Sequence, residues 1–290
     1  MNYKKWLLQY ENGLAGKTVV LFGATGGIGQ ELCKYILTLG GRLVAVDRNR
    51  QKAEENTRTL RKAFPDARIT NLFADLEDFA SVQNVAEELK QLSVDVLVHN
   101  AGAYSIPRHK TELGFDNVYQ INFIAPYYIT KELLPQLSQR KGRVVAVGSI
   151  AHTYSKIDDS DWDFSARKQA SKVYGNAKRQ WMYTLLELSK EYPGVAFSVA
   201  HPGIAFTNIT NHYPKLIFAV IKHPMKVIFM KPKHACLSIV MGIFEKTRPY
   251  SWIGPRFFDV WGAPKRKSLH SATSAEIAAI YSHAKEIFND

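Results

Sequence analysis

The sequence has few cysteines and no long apolar run, and both shortages limit what the protein can be. Cys33 and Cys236 are the two cysteines among 290 residues, and both lie in apolar helical patterns. This predicts buried, reduced thiols and neither a disulfide framework nor a metal site. No run approaches the roughly 20 apolar residues of a membrane span. The N-terminal MNYKKWLLQYENG lacks the apolar core and cleavage site of a signal peptide, so a cytoplasmic location follows by default.

The chain also contains fewer acidic than basic residues. The chain has 26 Asp and Glu against 38 Lys and Arg, which gives a net charge of +12 and a pI of about 9.5. This charge attracts anionic cofactors, anionic lipid surfaces and nucleic acid. The sequence has no nucleic-acid motif and no basic run interleaved with aromatic residues, so nucleic acid is not a predicted partner.

What the sequence does contain is a glycine-rich turn between a predicted strand and a predicted helix. The β-branched run Thr18–Phe22 is typical of a buried parallel strand, and Gly23, Gly27 and Gly29 follow it. The glycines permit a tight turn, a close backbone approach to a pyrophosphate and close helix–strand packing. The alternative is an ordinary glycine turn. The position of this glycine-rich turn between a strand and a helix, where free N–H groups at the helix start face phosphates, favours nucleotide binding.

A second pattern combines Tyr174 and Lys178 in YGNAK with Ser149 upstream. Side chains four residues apart lie on one face of a helix. A phenol with a pKa of about 10 is a poor acid/base catalyst at neutral pH, and a cation one turn away lowers that pKa. Chance often supplies Tyr-x-x-x-Lys. Here it follows a predicted fifth strand in a chain that opens with a phosphate-type loop, which predicts a hydride-transfer enzyme.

Further elements follow in the same chain order. They are HNAG at His99–Gly102, Asn122 in QINFIAP, Ser149 in VVAVGSIAH, Tyr174 with Lys178, and Pro202–Gly203 in HPGIAFT with Thr207 after it. Together with the G-x-x-x-G-x-G spacing, they resemble the short-chain dehydrogenase/reductase family over roughly 17–252. His99 replaces the family's first Asn. Phe22 stands where many members have Thr, and we expect little consequence from that departure.

The resemblance implies roles for four side chains. Tyr174 would exchange a proton with the substrate oxygen, and Lys178 would lower its pKa and bind the nicotinamide ribose. Ser149 would stabilise developing negative charge on the substrate oxygen. Asn122 would hold a water that relays protons to Lys178. Each residue also has an ordinary structural explanation, as a strand end, a surface pair or a buried amide, but their joint occurrence in this order favours catalysis.

The resemblance also implies a cofactor site for NADP or NAD. Asp47, at the end of the second strand, suits the ribose hydroxyls of NAD, whereas Arg48 suits the 2′-phosphate of NADP. The two residues conflict, and we prefer NADP because the most similar subgroup usually has Arg at this place. Asp75 would bind the adenine amino group or cap a helix. The predicted cofactor contacts are Gly23, Thr25, Gly26, Gly27, Ile28, Gly29, Asp47, Arg48, Asp75, Leu76, Asn100, Ala101, Gly102, Tyr174, Lys178, Pro202, Gly203 and Thr207.

Strands alternate with helical patterns along the chain, which predicts an α/β protein with a doubly wound Rossmann fold. The expected sheet has seven parallel strands in the order 3-2-1-4-5-6-7 with helices on both faces. We predict a single domain over 1–290, with a core unit at about 15–255, a substrate lid at about 206–233 and a C-terminal extension at about 255–290. The fourth helix is predicted over 115–137, with Pro126 and Pro135 bending or ending it.

Two segments bear on the substrate. The interval between Ser149 and Tyr174 is long, which resembles the retinol-dehydrogenase-like and protochlorophyllide-reductase-like subgroup; it is either a wall of the substrate cleft or a plain surface loop. The predicted lid has apolar runs and unopposed lysines. It either rests on an anionic membrane or packs on the core with its lysines solvated. In both cases an apolar substrate is expected. Homo-oligomers are common among the relatives.

The preferred function is an NAD(P)-dependent oxidoreductase that interconverts an alcohol and a carbonyl on a retinoid-like, steroid-like or long-chain substrate. Two alternatives stay open. One is reduction of a carbon–carbon double bond, which uses the same Tyr and Lys. The other is a catalytically silent protein that binds dinucleotide or a membrane surface.

Overall fold

The computed structural model describes residues 3–203, 230–245 and 250–288. These residues form an eight-stranded sheet in the order β3-β2-β1-β4-β5-β6-β7-β8. The strands are β1 Thr18–Phe22, β2 Arg42–Asp47, β3 Ile69–Phe73, β4 Val96–His99, β5 Arg143–Val147, β6 Ala196–Ala200, β7 Ser251–Phe257 and β8 Trp261–Ser268.

Helices cover both faces of the sheet, so the predicted doubly wound Rossmann fold is confirmed. The helices are α1 Tyr3–Leu7, α2 Gly27–Thr38, α3 Arg50–Ala63, α4 Phe79–Lys90, α5 Asn117–Tyr119, α6 Ala125–Gln139, α7 Ala170–Glu191, α8 Pro232–Ala235, α9 Leu237–Phe244 and α10 Ser274–Glu286. Short 3-10 turns occupy Leu8–Tyr10 and Ile150–Thr153, and a π turn occupies Gln120–Ile124.

The central strands are buried on both faces, as their apolar sequences require. Every residue of β1 is buried, and β1 pairs in parallel with both β2 and β4. One buried cluster packs α4, α6, α7 and α10 on one face, and a second packs α2 and α9 on the other. Burial of this kind contributes about 25 cal/mol per Å² of apolar surface, so the two clusters hold the sheet between its helices.

The prediction of seven all-parallel strands is wrong at one edge. β8 adds an eighth strand that runs antiparallel to β7 and closes a hairpin with it. Its sequence, WGAPKRKS, conceals the strand because it is polar and contains Pro264. Proline is tolerated in an edge strand, where one row of backbone groups faces away from the ladder. The C-terminal extension therefore contributes to the sheet.

The fourth helix differs from its prediction as well. It continues past both prolines, because Pro126 lies in the first turn of α6 and Pro135 is accommodated within that helix. The interruption comes earlier, at the π turn Gln120–Ile124. An inserted π turn shifts the side chains that follow it and often occurs at functional sites. Asn122 lies in its centre.

Cys33 and Cys236 are free and buried, as predicted. Burial raises the pKa of the Cys33 thiol to about 12, so this thiol stays protonated. Over the described ranges, no helix is long and apolar enough to cross a membrane. Most of the predicted lid, with Thr207, lies outside the described residues.

Candidate active site

The glycine turn after β1 is shaped by close backbone contacts. Gly23 has a φ of +79°, and a Cβ built on it would lie 2.9 Å from the Cα of Ala101. A Cβ on Gly29 would collide with the carbonyl oxygen of Gly23. Helix α2 begins directly after Gly26, which provides no side-chain cap. Its first N–H groups therefore remain available to an anionic ligand.

Asn100 joins this turn to the loop after β4. Its Nδ2 donates to the carbonyl oxygen of Gly23 at 2.9 Å. The parallel pairing of β1 with β4 brings the two strand ends together, because the carboxyl ends of parallel strands meet at one edge of the sheet. Asn100 thus holds the two walls of a cleft.

A cavity of about 680 Å³ runs along this edge. It contains most of the predicted cofactor positions: Gly23, Thr25, Gly26, Gly27, Ile28, Gly29, Asp47, Arg48, Asp75, Leu76, Asn100, Ala101 and Gly102. Sequence reasoning missed several of its other lining residues, among them Asn49, Lys52, Glu77, Ile106 and His109. Lys52 could have been found from its place in the first turn of a helix that follows Asp47 and Arg48.

Asp47 and Arg48 lie in different environments, one buried and the other exposed. Asp47 is 4% exposed, and its Oδ1 accepts from the backbone N–H and the hydroxyl of Thr25 at 2.9 and 2.8 Å. Burial raises the pKa of Asp47 above its ordinary value, although the Thr25 hydrogen bonds oppose the shift. The Arg48 side chain is 67% exposed at the cavity mouth. Asp47 therefore fastens the glycine turn, while Arg48 is a largely exposed part of the cavity lining.

Asp75 lies at the same mouth and does not cap a helix. Its Oδ2 is 3.8 Å from Arg48 Nη1, and Glu77 is 3.6 Å from the same nitrogen. The cap of α4 is Asp78, whose side chain accepts from the backbone N–H of Ser81. The predicted alternative, that Asp75 caps this helix, is therefore wrong, because the capping residue lies three positions later at Asp78.

Tyr174 and Ser149 come together at the carboxyl ends of the strands. Gly148 and Ser149 are the two residues that follow β5, and Ser149 caps the 3-10 turn Ile150–Thr153. The Ser149 hydroxyl forms a hydrogen bond with the half-buried Tyr174 phenol. Burial raises the pKa of Tyr174 to about 12, and the Ser149 hydrogen bond only partly offsets this. The direction is opposite to the predicted lowering. The phenol is therefore protonated at neutral pH.

Lys178 and Asn122 lie behind Tyr174, on one side of Gly102. A Cβ on Gly102 would be 2.7 Å from Asn122 Oδ1 and 3.4 Å from Lys178 Nζ. Lys178 is 3% exposed and donates to the carbonyl oxygen of Val147 at 3.1 Å. Burial lowers the pKa of Lys178 to about 8.

The amide of Asn122 is held by its nitrogen. Nδ2 donates to the carbonyl oxygens of Ala103 and Val118, each at 2.8 Å. Oδ1 is buried and has no hydrogen-bond partner among the described residues. This leaves Oδ1 as an unpaired acceptor on the side of Gly102 where Lys178 lies. An unpaired buried acceptor costs about 1–3 kcal/mol, which makes it a candidate ligand contact.

His99, the departure from the family's Asn-Asn-Ala-Gly element, is a core residue. Its Nε2 is 2.9 Å from the hydroxyl of Thr130, and its ring stacks on Phe22 and meets the edge of Trp181. Burial lowers the pKa of His99 to about 3, so the imidazole stays neutral. The two departures, His99 and Phe22, are therefore in contact with each other in the core.

The long interval before Tyr174 has two parts. Its first residues border the site, because Tyr154 lies close enough to affect the pKa of Tyr174 and packs near Gly175. In the later part, Arg108 donates to the carbonyl oxygens of Phe164 and Ser165, and Phe164 belongs to a buried cluster against which Tyr174 packs. Both parts therefore reach the surroundings of Tyr174, and a wall of the substrate cleft stays a prediction.

Pro202–Gly203 follows β6 at the same sheet edge but does not line the cavity. Gly203 has a φ of +78°, and a Cβ on it would lie 2.7 Å from the carbonyl oxygen of Val260. This turn therefore packs against the β7–β8 hairpin.

The fold and this arrangement define a doubly wound α/β protein with Ser, Tyr, Lys and Asn side chains at the carboxyl edge of its sheet. The family model for short chain dehydrogenases matches residues 17–215. The chain belongs to the short-chain dehydrogenase family.

Individual relatives agree with this assignment. The chain is 33% identical to retinol dehydrogenase 14 of Mus musculus over 212 residues, which cover 68% of this chain and 64% of that protein. The chain thus spans slightly less than two thirds of that relative.

Solved structures share the fold. An uncharacterised protein from Mycobacterium Paratuberculosis superimposes with a TM-score of 0.76 at 24% identity, covering 94% of each chain. A short-chain dehydrogenase from Sphingobium yanoikuyae in complex with NADPH superimposes with a TM-score of 0.60 at 21% identity, covering 78% of this chain and 83% of the other.

Proposed function

We propose that the protein is an NADP-dependent oxidoreductase that reduces a carbonyl on an apolar small molecule to an alcohol. The observation that carries the proposal is the grouping of Lys178 and the unpaired Asn122 oxygen around Gly102, which lines the cavity, with the Tyr174 ring centre 5.7 Å from Lys178 Nζ.

The residues of the cavity fit a nicotinamide dinucleotide. Gly23 and Gly29 leave no space for a Cβ, which keeps backbone close to the ligand, and the uncapped start of α2 suits a pyrophosphate. Asn122 Oδ1 and Lys178 would hold the nicotinamide end. When bound, the dinucleotide supplies or accepts a hydride.

The protein's own residues handle the proton. Tyr174 is protonated at neutral pH and lies next to Ser149, so it can donate to the oxygen of a carbonyl while the Ser149 hydroxyl stabilises negative charge on that oxygen. Lys178 lies 5.7 Å from the centre of the Tyr174 ring, and its charge would then stabilise the phenolate that remains. A protonated phenol favours the reductive direction.

The environment of Arg48 supports NADP over NAD. Asp47 does not exclude a ribose contact, because Thr25 occupies only its Oδ1, while the buried Oδ2 has no hydrogen-bond partner among the described residues. Arg48 is exposed at the cavity mouth, and its ion pairs among the described residues are contacts of 3.6–3.8 Å to Glu77 and Asp75. A 2′-phosphate would form shorter, charge-assisted hydrogen bonds with it.

Aromatic residues next to Tyr174 support an apolar substrate. The ring of Tyr104 meets the ring of Tyr174 edge-on at 5.3 Å, and Tyr154 is half exposed nearby. The name of the mouse relative, retinol dehydrogenase, is consistent with such a substrate. Formation of a homo-oligomer by this chain is a separate part of the proposal.

The experiment is a fluorescence titration of the purified protein with NADPH and with NADH, followed by addition of a panel of apolar aldehydes and ketones. We expect NADPH to bind at least about 10-fold more tightly than NADH, and at least one carbonyl to drive nucleotide oxidation. Tight binding without oxidation on any carbonyl would favour a silent dinucleotide-binding protein. Failure of both nucleotides to bind would overturn the proposal.

A further inference from the structure

The tip of the β7–β8 hairpin exposes three large aromatic side chains. Phe258 is 85% exposed, Phe257 54% and Trp261 42%. Phe257 pairs with Trp261 across the hairpin, and the ring of Phe258 lies 6.1 Å from that of Trp261. The three rings therefore form one apolar projection, the aromatic tip. Clustered exposed aromatics mark an interaction surface, whereas single ones do not.

Two residues of the aromatic tip have backbone conformations that non-glycine residues rarely adopt and that cost folding stability. Phe258 and Asp259 have φ values of +50° and +57°, in the left-handed region. Turns with two such residues normally contain Asn and Gly, and a bulky aromatic residue is rare there. The Asp259 conformation is supported by its ion pair with Lys267 at 2.8 Å. Neither turn geometry nor packing explains an exposed phenylalanine at position 258.

Cations flank the aromatic tip. Arg256 and Lys265 are exposed, one on each strand, and neither has an acidic partner within 4.0 Å among the described residues. The two basic residues that follow Lys265 are each paired with an acid. An apolar aromatic projection with unpaired cations at its base is complementary to an anionic bilayer, where aromatic rings enter the interface and cations contact phosphates.

The position of the aromatic tip fits this partner. β7 is parallel to β6, so the tip lies at the carboxyl edge of the sheet, where the cavity also opens. Its base is in close contact with Gly203, at the end of β6. A bilayer seated on the tip would therefore face the edge of the protein that carries Tyr174 and Ser149.

We propose that residues 256–265 form a docking surface for an anionic membrane, with Phe257, Phe258 and Trp261 entering the lipid interface and Arg256 and Lys265 contacting lipid phosphates. The proposal stands on the hairpin alone and does not depend on catalysis. If the proposed function is also correct, docking would place the cleft beside a phase in which apolar substrates dissolve.

The first test is co-sedimentation of the full chain with vesicles of phosphatidylcholine, with and without phosphatidylglycerol. We expect binding to the anionic vesicles, weak binding to the neutral ones, and a loss of binding as salt is raised. Absence of binding to anionic vesicles at low salt would overturn the proposal.

Variants of the aromatic tip locate the surface. Replacing Phe257, Phe258 and Trp261 by Ser together should weaken vesicle binding at least about 10-fold, because each aromatic ring contributes through its burial. The matched control is Leu113→Ser, which removes an apolar side chain that is 38% exposed elsewhere. Equal binding by the triple variant and the control would contradict the proposal.

Charge variants separate this site from the general basicity of the chain. Arg256→Gln with Lys265→Gln should weaken binding at least about 5-fold. Arg61→Gln with Lys62→Gln makes the same change of net charge on α3, at the opposite edge of the sheet, and should have little effect. Equal losses would mean that net charge alone drives binding, which would overturn the proposed site.

Phe258→Asn distinguishes a docking role from a structural one. Asn tolerates the left-handed backbone, so this variant should melt at the same or a higher temperature than the parent while binding vesicles more weakly. A lower melting temperature with unchanged binding would assign Phe258 to the fold. Sedimentation velocity gives the remaining outcome: a dimer that the triple variant dissociates, with no vesicle binding, would assign the aromatic tip to a second copy of the chain and overturn the proposal.

Discussion

At the scale of single residues, the half-buried Tyr174 and the buried Lys178 have pKa values shifted in opposite directions. Burial raises the pKa of Tyr174 to about 12 and lowers that of Lys178 to about 8, because burial disfavours the charged form of either group. The pair therefore holds a proton on the phenol. A strongly perturbed pKa of this kind is common at functional sites.

The cost of burying the Lys178 charge gives a prediction for stability. Between pH 8 and 10.5 the unfolded chain holds the Lys178 proton and the folded chain does not, so the stability of the parent should rise with pH across that window. Below pH 8 the folded protein bears the full cost of the buried charge. Lys178→Met should therefore be more stable than the parent by about 3 kcal/mol at pH 7, since each pKa unit corresponds to about 1.4 kcal/mol.

The measurement is urea unfolding of both proteins at pH 7 and at pH 10. The stability advantage of Lys178→Met should shrink at the higher pH, and its nucleotide affinity should fall. A variant less stable than the parent at pH 7 would show that the hydrogen bond to Val147 outweighs the burial cost.

Arg48 gives a prediction for cofactor choice. Arg48→Ala should weaken NADPH binding about 10- to 100-fold, because a charge-assisted hydrogen bond contributes roughly 1.5–3 kcal/mol, and should leave NADH binding nearly unchanged. Arg61→Ala, an exposed arginine on α3 outside the cavity, is the control in a parallel fluorescence titration. An equal effect of Arg48→Ala on both nucleotides would discard Arg48 as the phosphate contact.

The sequence was sufficient to predict most of the residues that line the cavity, but not Pro202 and Gly203, which lie outside it, and it could not predict how the lining residues are oriented. Asp47 and Arg48 are adjacent and both polar, and only the Thr25 hydrogen bonds show which one is turned inward. The raised pKa of Tyr174 was also beyond the sequence, since it depends on how deeply the phenol is buried.

At the scale of elements, the helix that carries Tyr174 is joined to the C-terminal helix by an ion pair. Arg179 in α7 is 2% exposed and forms two hydrogen bonds of 2.7 Å with Glu276 in α10. Arg179 also donates to the carbonyl oxygen of His152, whose ring nitrogen bonds the backbone of Ser149. The C-terminal extension therefore supports both segments that hold the proposed acid and its partner.

Removal of one partner from this ion pair should be costly. Glu276→Ala leaves the Arg179 guanidinium buried without its acid and should lower the free energy of unfolding by about 3–5 kcal/mol. Lys285→Ala, which breaks the exposed pair with Glu191 between the same two helices, should cost less than about 1 kcal/mol. Urea unfolding measures both.

The ion pair also predicts acid sensitivity. Burial alone would raise the pKa of Glu276, but the Arg179 hydrogen bonds hold the pKa below its ordinary value. The contribution of Glu276 to the free energy of unfolding is therefore fully present above the ordinary pKa of a Glu side chain, and it is lost as pH falls through the lowered pKa of Glu276. Similar costs for Glu276→Ala and Lys285→Ala at pH 7 would contradict the assigned importance of the buried pair.

Among the elements, periodicity and strand composition predicted the central strands well, because burial on both faces demands continuous apolar runs. The edge was less predictable. β8 is polar, contains Pro264 and depends on pairing with β7 rather than on its own composition. The π turn at Gln120–Ile124 was equally hidden, since its sequence is compatible with an ordinary helix.

At the scale of the whole molecule, the sheet is continuous from β3 to β8, and the extension after β7 packs on α7. We therefore predict that the chain unfolds as one cooperative unit, with NADPH raising the melting temperature. A ligand at 100 times its dissociation constant stabilises the folded state by about 2.7 kcal/mol.

Differential scanning calorimetry measures this directly, and NADH at the same concentration is the control. Two separate transitions, of which NADPH moves only one, would divide the chain into independent units. Absence of any shift with NADPH would argue against a dinucleotide site.

The most direct test of the central claim is the rate of NADPH oxidation by the parent and by Tyr174→Phe, with a carbonyl substrate found in the panel and both proteins saturated with nucleotide. Loss of the phenol removes the proton donor but leaves the glycine turn, Arg48 and Lys178 in place. We predict a fall in rate of at least about 100-fold at unchanged NADPH affinity. A variant that retains the parent's rate would contradict the assignment of Tyr174 as the general acid.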